Sequence, residues 1–164
     1  MDTAYQKYIP EKAIPFVQFL IETHNFTLKI VTQRQTKHGD FRKLPNGQFQ
    51  ITVNNNLNKY QFLLTLVHEI AHHVTHQKFG RVQPHGKEWK DNFSMLLVPM
   101  IRIGHLPKPI ESALMNSLVN VKASSCTDVN LQRVLLTFDE RNDNLTTLES
   151  LEKNSIFELN GRLF

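Results

Sequence analysis

Asn58-Lys59-Tyr60-Gln61-Phe62-Leu63-Leu64-Thr65-Leu66-Val67-His68-Glu69-Ile70-Ala71-His72-His73-Val74-Thr75-His76-Gln77-Lys78-Phe79-Gly80 is the stretch that decides the fold. Phe62, Leu63, Leu66, Val67, Ile70, Ala71 and Val74 recur at helical spacing and form one broad apolar face. The period predicts a helix from Leu57 or Asn58 to about Phe79, capped by Asn56 or Asn58 and ended by Gly80. At 1.5 Å per residue such a helix is roughly 30 Å long and crosses a whole domain. His68-Glu69-Ile70-Ala71-His72 lies in its second half as an H-E-x-x-H motif. Positions four apart differ by about 40° around a helix and about 6 Å along it, so both imidazoles can reach one ion. Glu69 is turned about 100° from His68, out of reach as a ligand but within reach of a water on that ion, where a general base belongs. Random placement of this chain's His and Glu would give about 0.02 such motifs.

Catalytic zinc takes three protein ligands and keeps one position open. Five of the eight histidines fall between His68 and His85. His73 points about 100° away from His72, and His76 lies about 12 Å along the axis from His68. Both are expected at the surface or behind the ligands. After Gly80 the chain can fold back and bring His85 or Glu88 to the motif. His85 is favoured because Gly86 lets the backbone approach, with Glu88 as the rival or as a hydrogen-bond partner to a ligand histidine. Tyr60, His73 and His76 are candidate donors to the oxyanion or substrate.

Outward from this helix, Pro10 to His24 reads as a helix, and Phe26 to Arg34 alternates like a strand. Gln35 to Gln48, with Gly39, Pro45 and Asn46-Gly47, is expected as a loop or hairpin connection. Phe49, Ile51 and Val53 form a second strand, and Gln50 to Asn54 is the candidate sheet edge for an extended substrate. Gly86 to about Leu97 is a further helix with Trp89, Phe93, Leu96 and Leu97 inward. Pro99, Gly104, Pro107 and Pro109 predict a linker. Beyond it come a short helix over 110–119, a second from Val129 to about Thr137 capped by Asp128, a polar loop over 139–144, and a hairpin around Asn160-Gly161. The fold class is α+β, a small sheet packed on a long metal-binding helix. Residues 1–109 are expected as the main domain, and 110–164 as a helical and hairpin appendage that continues beyond this chain.

The 164 residues are 40% hydrophobic, enough for a core without staples. One cysteine, Cys126, excludes a disulfide framework and fits a reducing cytoplasm. No run of 18 apolar residues crosses a membrane, and Met1 to Gln6 has no secretory pattern. Residues 1–110 hold 14 Lys+Arg against 7 Asp+Glu, and the remainder 5 against 8. A basic surface near the motif (Lys37, His38, Arg42, Lys43, Lys78, Arg81, Lys87, Lys90) is compatible with DNA as a partner. The acidic remainder could cover that surface.

The motif, together with Phe79-Gly80-Arg81-Val82-Gln83-Pro84-His85-Gly86-Lys87-Glu88-Trp89-Lys90, resembles the SprT-like, Spartan-related family of zinc metalloproteases. The resemblance covers about residues 49–98. It implies a zincin-like fold, Zn2+ held by His68, His72 and His85, Glu69 as catalytic base, and Trp89 packing the third-ligand helix. It also implies a metalloendopeptidase of the cytoplasm acting on protein or peptide substrates, including proteins on DNA. A zinc-binding adaptor or DNA-binding module without hydrolysis is the alternative.

Overall fold

The computed structural model describes residues 3–119, 128–139, 150–159 and 161–164. Cys126, Asn160 and most of the expected loop over 139–144 lie outside the described residues. The protein is α+β, and its centre is the long helix.

Two short 3-10 turns, Ala4–Tyr8 and Glu11–Ala13, precede helix α1 (Ile14–His24). The helix therefore begins about one turn later than the expected Pro10. Pro15 has no N–H to give to Glu11, so Pro15 sits in the first turn of the helix proper. Asn25, at φ 48, closes α1 in the left-handed region with its N–H on the Ile21 carbonyl.

Strand β1 (Thr27–Val31) runs parallel to β3 (Phe49–Asn54), and β2 (Gly39–Lys43) runs antiparallel to β3 on its other side. The order is thus β1-β3-β2. Strand β2 falls in the stretch expected as loop or hairpin connection. The hairpin part of that expectation holds: Leu44 and Gln48 close the β2–β3 turn, and Gly47 takes φ +82. The strand was hidden because Gly39-Asp40-Phe41-Arg42-Lys43 has charge where alternation would show, a composition that protects edges. Strand β3 has neighbours on both sides, so the candidate substrate edge at Gln50–Asn54 is wrong. Among the described residues the free edges belong to β1 and β2.

Helix α2 (Lys59–Phe79) packs under the sheet against Ile51 and Val53, both fully buried. Its first turn is held by a capping box. The Asn58 side chain accepts from the Gln61 N–H, and the Gln61 side chain accepts from the Asn58 N–H. Helix α3 (Lys87–Arg102) packs against α2. It was expected to stop near Leu97, yet it passes through Pro99. Met100 is fully buried, and Met95, whose carbonyl loses a partner at Pro99, lies on the exposed side where water can serve it. Asn92 locks the pair: its amide donates to Thr75 Oγ1 (3.0 Å) and the Glu88 carbonyl (2.9 Å), and its oxygen accepts from Lys78 Nζ (2.9 Å).

Helices α4 (Lys108–Val119) and α5 (Val129–Leu136) put Ile110, Leu114, Leu131 and Leu135 into the same core. The Asp128 side chain caps α5 as expected. Asn58 Nδ2 donates to the Leu135 carbonyl at 2.8 Å, and Tyr60 meets Phe138 edge-on at 5.1 Å. Among the described residues these helices meet the start of α2 through apolar side chains and the Asn58–Leu135 hydrogen bond. The terminal hairpin pairs β4 (Glu158–Leu159) with β5 (Arg162–Leu163). No helix among the described residues is long and apolar enough to cross a membrane.

Candidate metal centre

His68 and His72 project from one stripe of α2, as the spacing requires. His85 arrives from the turn before α3. That turn is tight: the Gly86 N–H bonds the Gln83 carbonyl at 3.0 Å, and a Cβ on Gly86 would stand 3.0 Å from that same oxygen. His85 itself takes φ 57, a left-handed conformation that a side chain adopts at a cost. The strain turns its ring onto the motif. The three Nε2 atoms lie 3.0–3.2 Å from one another. A tetrahedral ion with nitrogens at 2.0–2.1 Å separates them by about 3.3 Å, so the set fits a metal ion.

Electrostatics support the same use. Burial and the neighbouring imidazoles push His68 down to about 3, and burial and His85 push His72 down to about 4. Burial, then Lys90, also lowers His85. The rings therefore stay neutral near pH 7, with lone pairs available to a cation. Trp89 forms the floor: its ring centroid is 4.7 Å from His68, 5.3 Å from His72 and 4.7 Å from His85, and Phe93 stacks behind it at 4.7 Å.

Glu69 lies against β2 at Gly39, and it is 8% exposed. The Phe41 N–H donates to its carboxylate. Burial, with Asp40 adding to it, pushes the carboxyl up to about 7, against Arg34, Lys37 and the Phe41 N–H. Asp40 is raised by its own burial, but bonds from Lys37 and Arg42 outweigh this and leave it below the usual carboxylate range.

A family model described as the SprT-like family matches residues 10–99. The chain belongs to the SprT-like family. Relatives named Protein SprT agree with this. The one from Vibrio atlanticus is 74% identical over 23 residues, 14% of each chain. That from Yersinia pestis is 48% identical over 46 residues, 26% of this chain and 27% of the relative. The matched stretches thus span well under two thirds of those relatives. No solved structure matches the chain.

In this SprT-like chain the remaining candidates disperse. Glu88 stays outside the group of metal-capable side chains, and its carboxylate lies beside Gly86 and not on a histidine. Tyr60 stands two turns before His68, about 12 Å along the helix, and is occupied with Phe138. His73 is not at the surface: it is fully buried, its Nε2–H donates to the His24 carbonyl at 2.7 Å, and Phe26, Phe41 and Phe49 box it in. It joins α2 to the end of α1, a tie to a carbonyl 49 residues away that no local pattern announces. His76 rests half-buried on Phe41 and Phe49, each within 6 Å. Three contributors were missed by sequence reasoning: Asn92, Gly39 and the β2 edge. Only the H-E-x-x-H spacing signalled that something must cover Glu69.

Proposed function

We propose that the chain is a zinc-dependent metallopeptidase of zincin-like architecture. The observation that carries this reading is the meeting of three neutral imidazoles with a buried carboxylate under a free strand edge. His68, His72 and His85 would hold the ion, which supplies Lewis acidity toward a carbonyl and makes water a nucleophile near neutral pH. Glu69 takes a proton from the attacking water on its carboxylate and delivers it to the leaving amine. The Arg34 and Lys37 charges and the Phe41 N–H favour the ionised form that this requires. In β2 the inward N–H and C=O groups belong to alternate residues, since His38 accepts from Asn54 and Leu44 donates to Gln48. Gly39, Phe41 and Lys43 therefore face their backbone groups outward; the Phe41 N–H is taken by Glu69, and the Gly39 and Lys43 groups with the Phe41 carbonyl are left for a substrate strand.

Glu69→Gln keeps the carboxylate's size and removes the proton acceptor. It is expected to retain the metal and lose about 10²–10⁴-fold in cleavage of an unfolded protein such as casein. Cleavage at the wild-type rate would overturn the role given to Glu69, and a wild-type chain that holds zinc and cleaves nothing would put the adaptor reading ahead.

Substrates on DNA extend the proposal. The outer face of the sheet carries Lys29, Arg34, Lys37 and Arg42 around one acid, Asp40. Lys87 is paired with Asp91 and Lys78 with Asn92, on other surfaces. DNA binding that weakens steeply with salt, and further in Lys29→Glu with Arg42→Glu, is the expected result. Binding indifferent to both would remove DNA from the proposal.

A further inference from the structure

Gly39 differs from the other glycines. Gly47, Gly80, Gly104 and Gly161 have φ between +69 and +82, and a Cβ on any of them would meet nothing within 4 Å. They serve the backbone. Gly39 lies in ordinary extended backbone within β2, paired opposite Val53. What it lacks room for is a side chain. A Cβ there would stand 2.7 Å from Glu69 Cγ, 2.7 Å from Glu69 Oε1 and 2.7 Å from Thr65 Cγ2. Ordinary contact begins near 3.4 Å, so the carboxylate or the strand would have to retreat by about 0.7 Å. Two residues on, the Phe41 N–H holds the same carboxylate. The edge strand thus sits directly on Glu69, and only a residue without Cβ allows it.

We infer that Gly39 is a positioning residue: it lets β2 descend onto the metal helix so that the Phe41 N–H sets the Glu69 carboxylate beside the metal centre. This rests on Glu69 serving as the base in the reading above. It adds that the base is oriented by the strand edge offered to the substrate, and not by its own helix alone. A displacement of this size at a reacting group can cost up to about 100-fold in rate.

The test uses the zinc-loaded chain and two readouts. One is the affinity for acetohydroxamate, a small chelator that binds zinc and gives its hydroxyl proton or hydrogen bond to an adjacent carboxylate. The other is kcat and KM on casein. Gly39→Ala is expected to retain zinc, to weaken acetohydroxamate at least about tenfold, as Glu69→Gln does, and to lower kcat with little change in KM. Adding Thr65→Ser, which removes Cγ2, is expected to restore part of both. Wild-type affinity and kcat in Gly39→Ala would overturn the inference, as would a loss that Thr65→Ser leaves untouched. So would a Glu69→Gln protein that binds acetohydroxamate like the wild type. If Gly39→Ala fails to fold, Phe41→Ala and Phe41→Pro decide. Both lose the ring, and only Pro loses the N–H, at an outward position that tolerates it. A weaker Phe41→Pro supports the inference, and equal variants overturn it. If the acetohydroxamate pattern holds while wild type cleaves no protein, the peptidase reading fails and the positioning role stands.

Discussion

His72 and His73 are neighbours in the chain and live in opposite environments. His72 turns its Nε2 toward two other ring nitrogens, over a tryptophan floor. His73 turns its Nε2–H to a carbonyl, inside a box of phenylalanines. Burial lowers both, so aromatic surroundings and titration do not tell them apart. The partner does. A carbonyl accepts a proton-bearing nitrogen and makes His73 a structural donor through Nε2, while its Nδ1 is buried without a hydrogen-bond partner. Facing ring nitrogens have too few protons among them to satisfy one another, and a cation satisfies all three. One side of the helix is tied into the fold, and the other gathers nitrogens that suit a cation.

The largest effect should come from exchanging the two. His72→Phe is expected to weaken zinc by more than about 100-fold, and His73→Phe to leave it nearly unchanged, by metal content after dialysis. Stability should move the other way. His73→Phe removes the donor to the His24 carbonyl and should cost about 1–3 kcal/mol in urea unfolding. His72→Phe should leave the metal-free protein as stable or more so, because it removes a desolvated imidazole from a cluster of three. Matching signs in the two assays would break the contrast.

Asn92 offers a smaller test of the same idea. It ties α3 to α2 through Thr75, Lys78 and the Glu88 carbonyl, one turn after Trp89. Its role belongs to the fold, yet it holds the element whose first residues bring His85 to the motif. Asn92→Ala should cost about 1–3 kcal/mol of stability. It should also weaken zinc about 10–100-fold, as loss of a supporting contact does. A stability loss with unchanged zinc affinity would show that the His85 turn is held by its own strained backbone.

These distinctions set what could be read from sequence. The long helix and its pair of facing histidines were legible because periodicity and i,i+4 spacing are local. His85 was favoured for Gly86, and the close approach of Gly86 to the Gln83 carbonyl is there; the positive φ of His85 itself is the part that no pattern announced. Strand β2 was not legible because its pattern is an edge pattern, and with it went the cover over Glu69 and the position of the free edge. His73, Asn92 and Gly39 were misjudged or missed for one reason: each is defined by a contact with an element distant in the chain.

The smallest expected effect is a pH dependence of the metal-free protein, and its sign separates the imidazoles from the base. His68 and His72 titrate near 3 and 4 in the fold and near 6.5 when unfolded. Between those limits the unfolded chain binds more protons, so stability falls as pH drops below 6.5. Glu69 runs oppositely: about 7 folded against 4.5 unfolded. The folded chain holds the extra proton there, so its stabilising share is lost as pH rises from 4.5 through 7. Two imidazoles outweigh one carboxyl below 6.5, and Glu69 alone remains between 6.5 and 7.5. Urea unfolding with a chelator should therefore show stability rising to about pH 6.5 and then declining slightly. Glu69→Gln should abolish the decline and keep the rise. A decline that persists in Glu69→Gln would mean that the carboxylate is accommodated in its ionised form without cost, and that β2 supplies more than one donor to it.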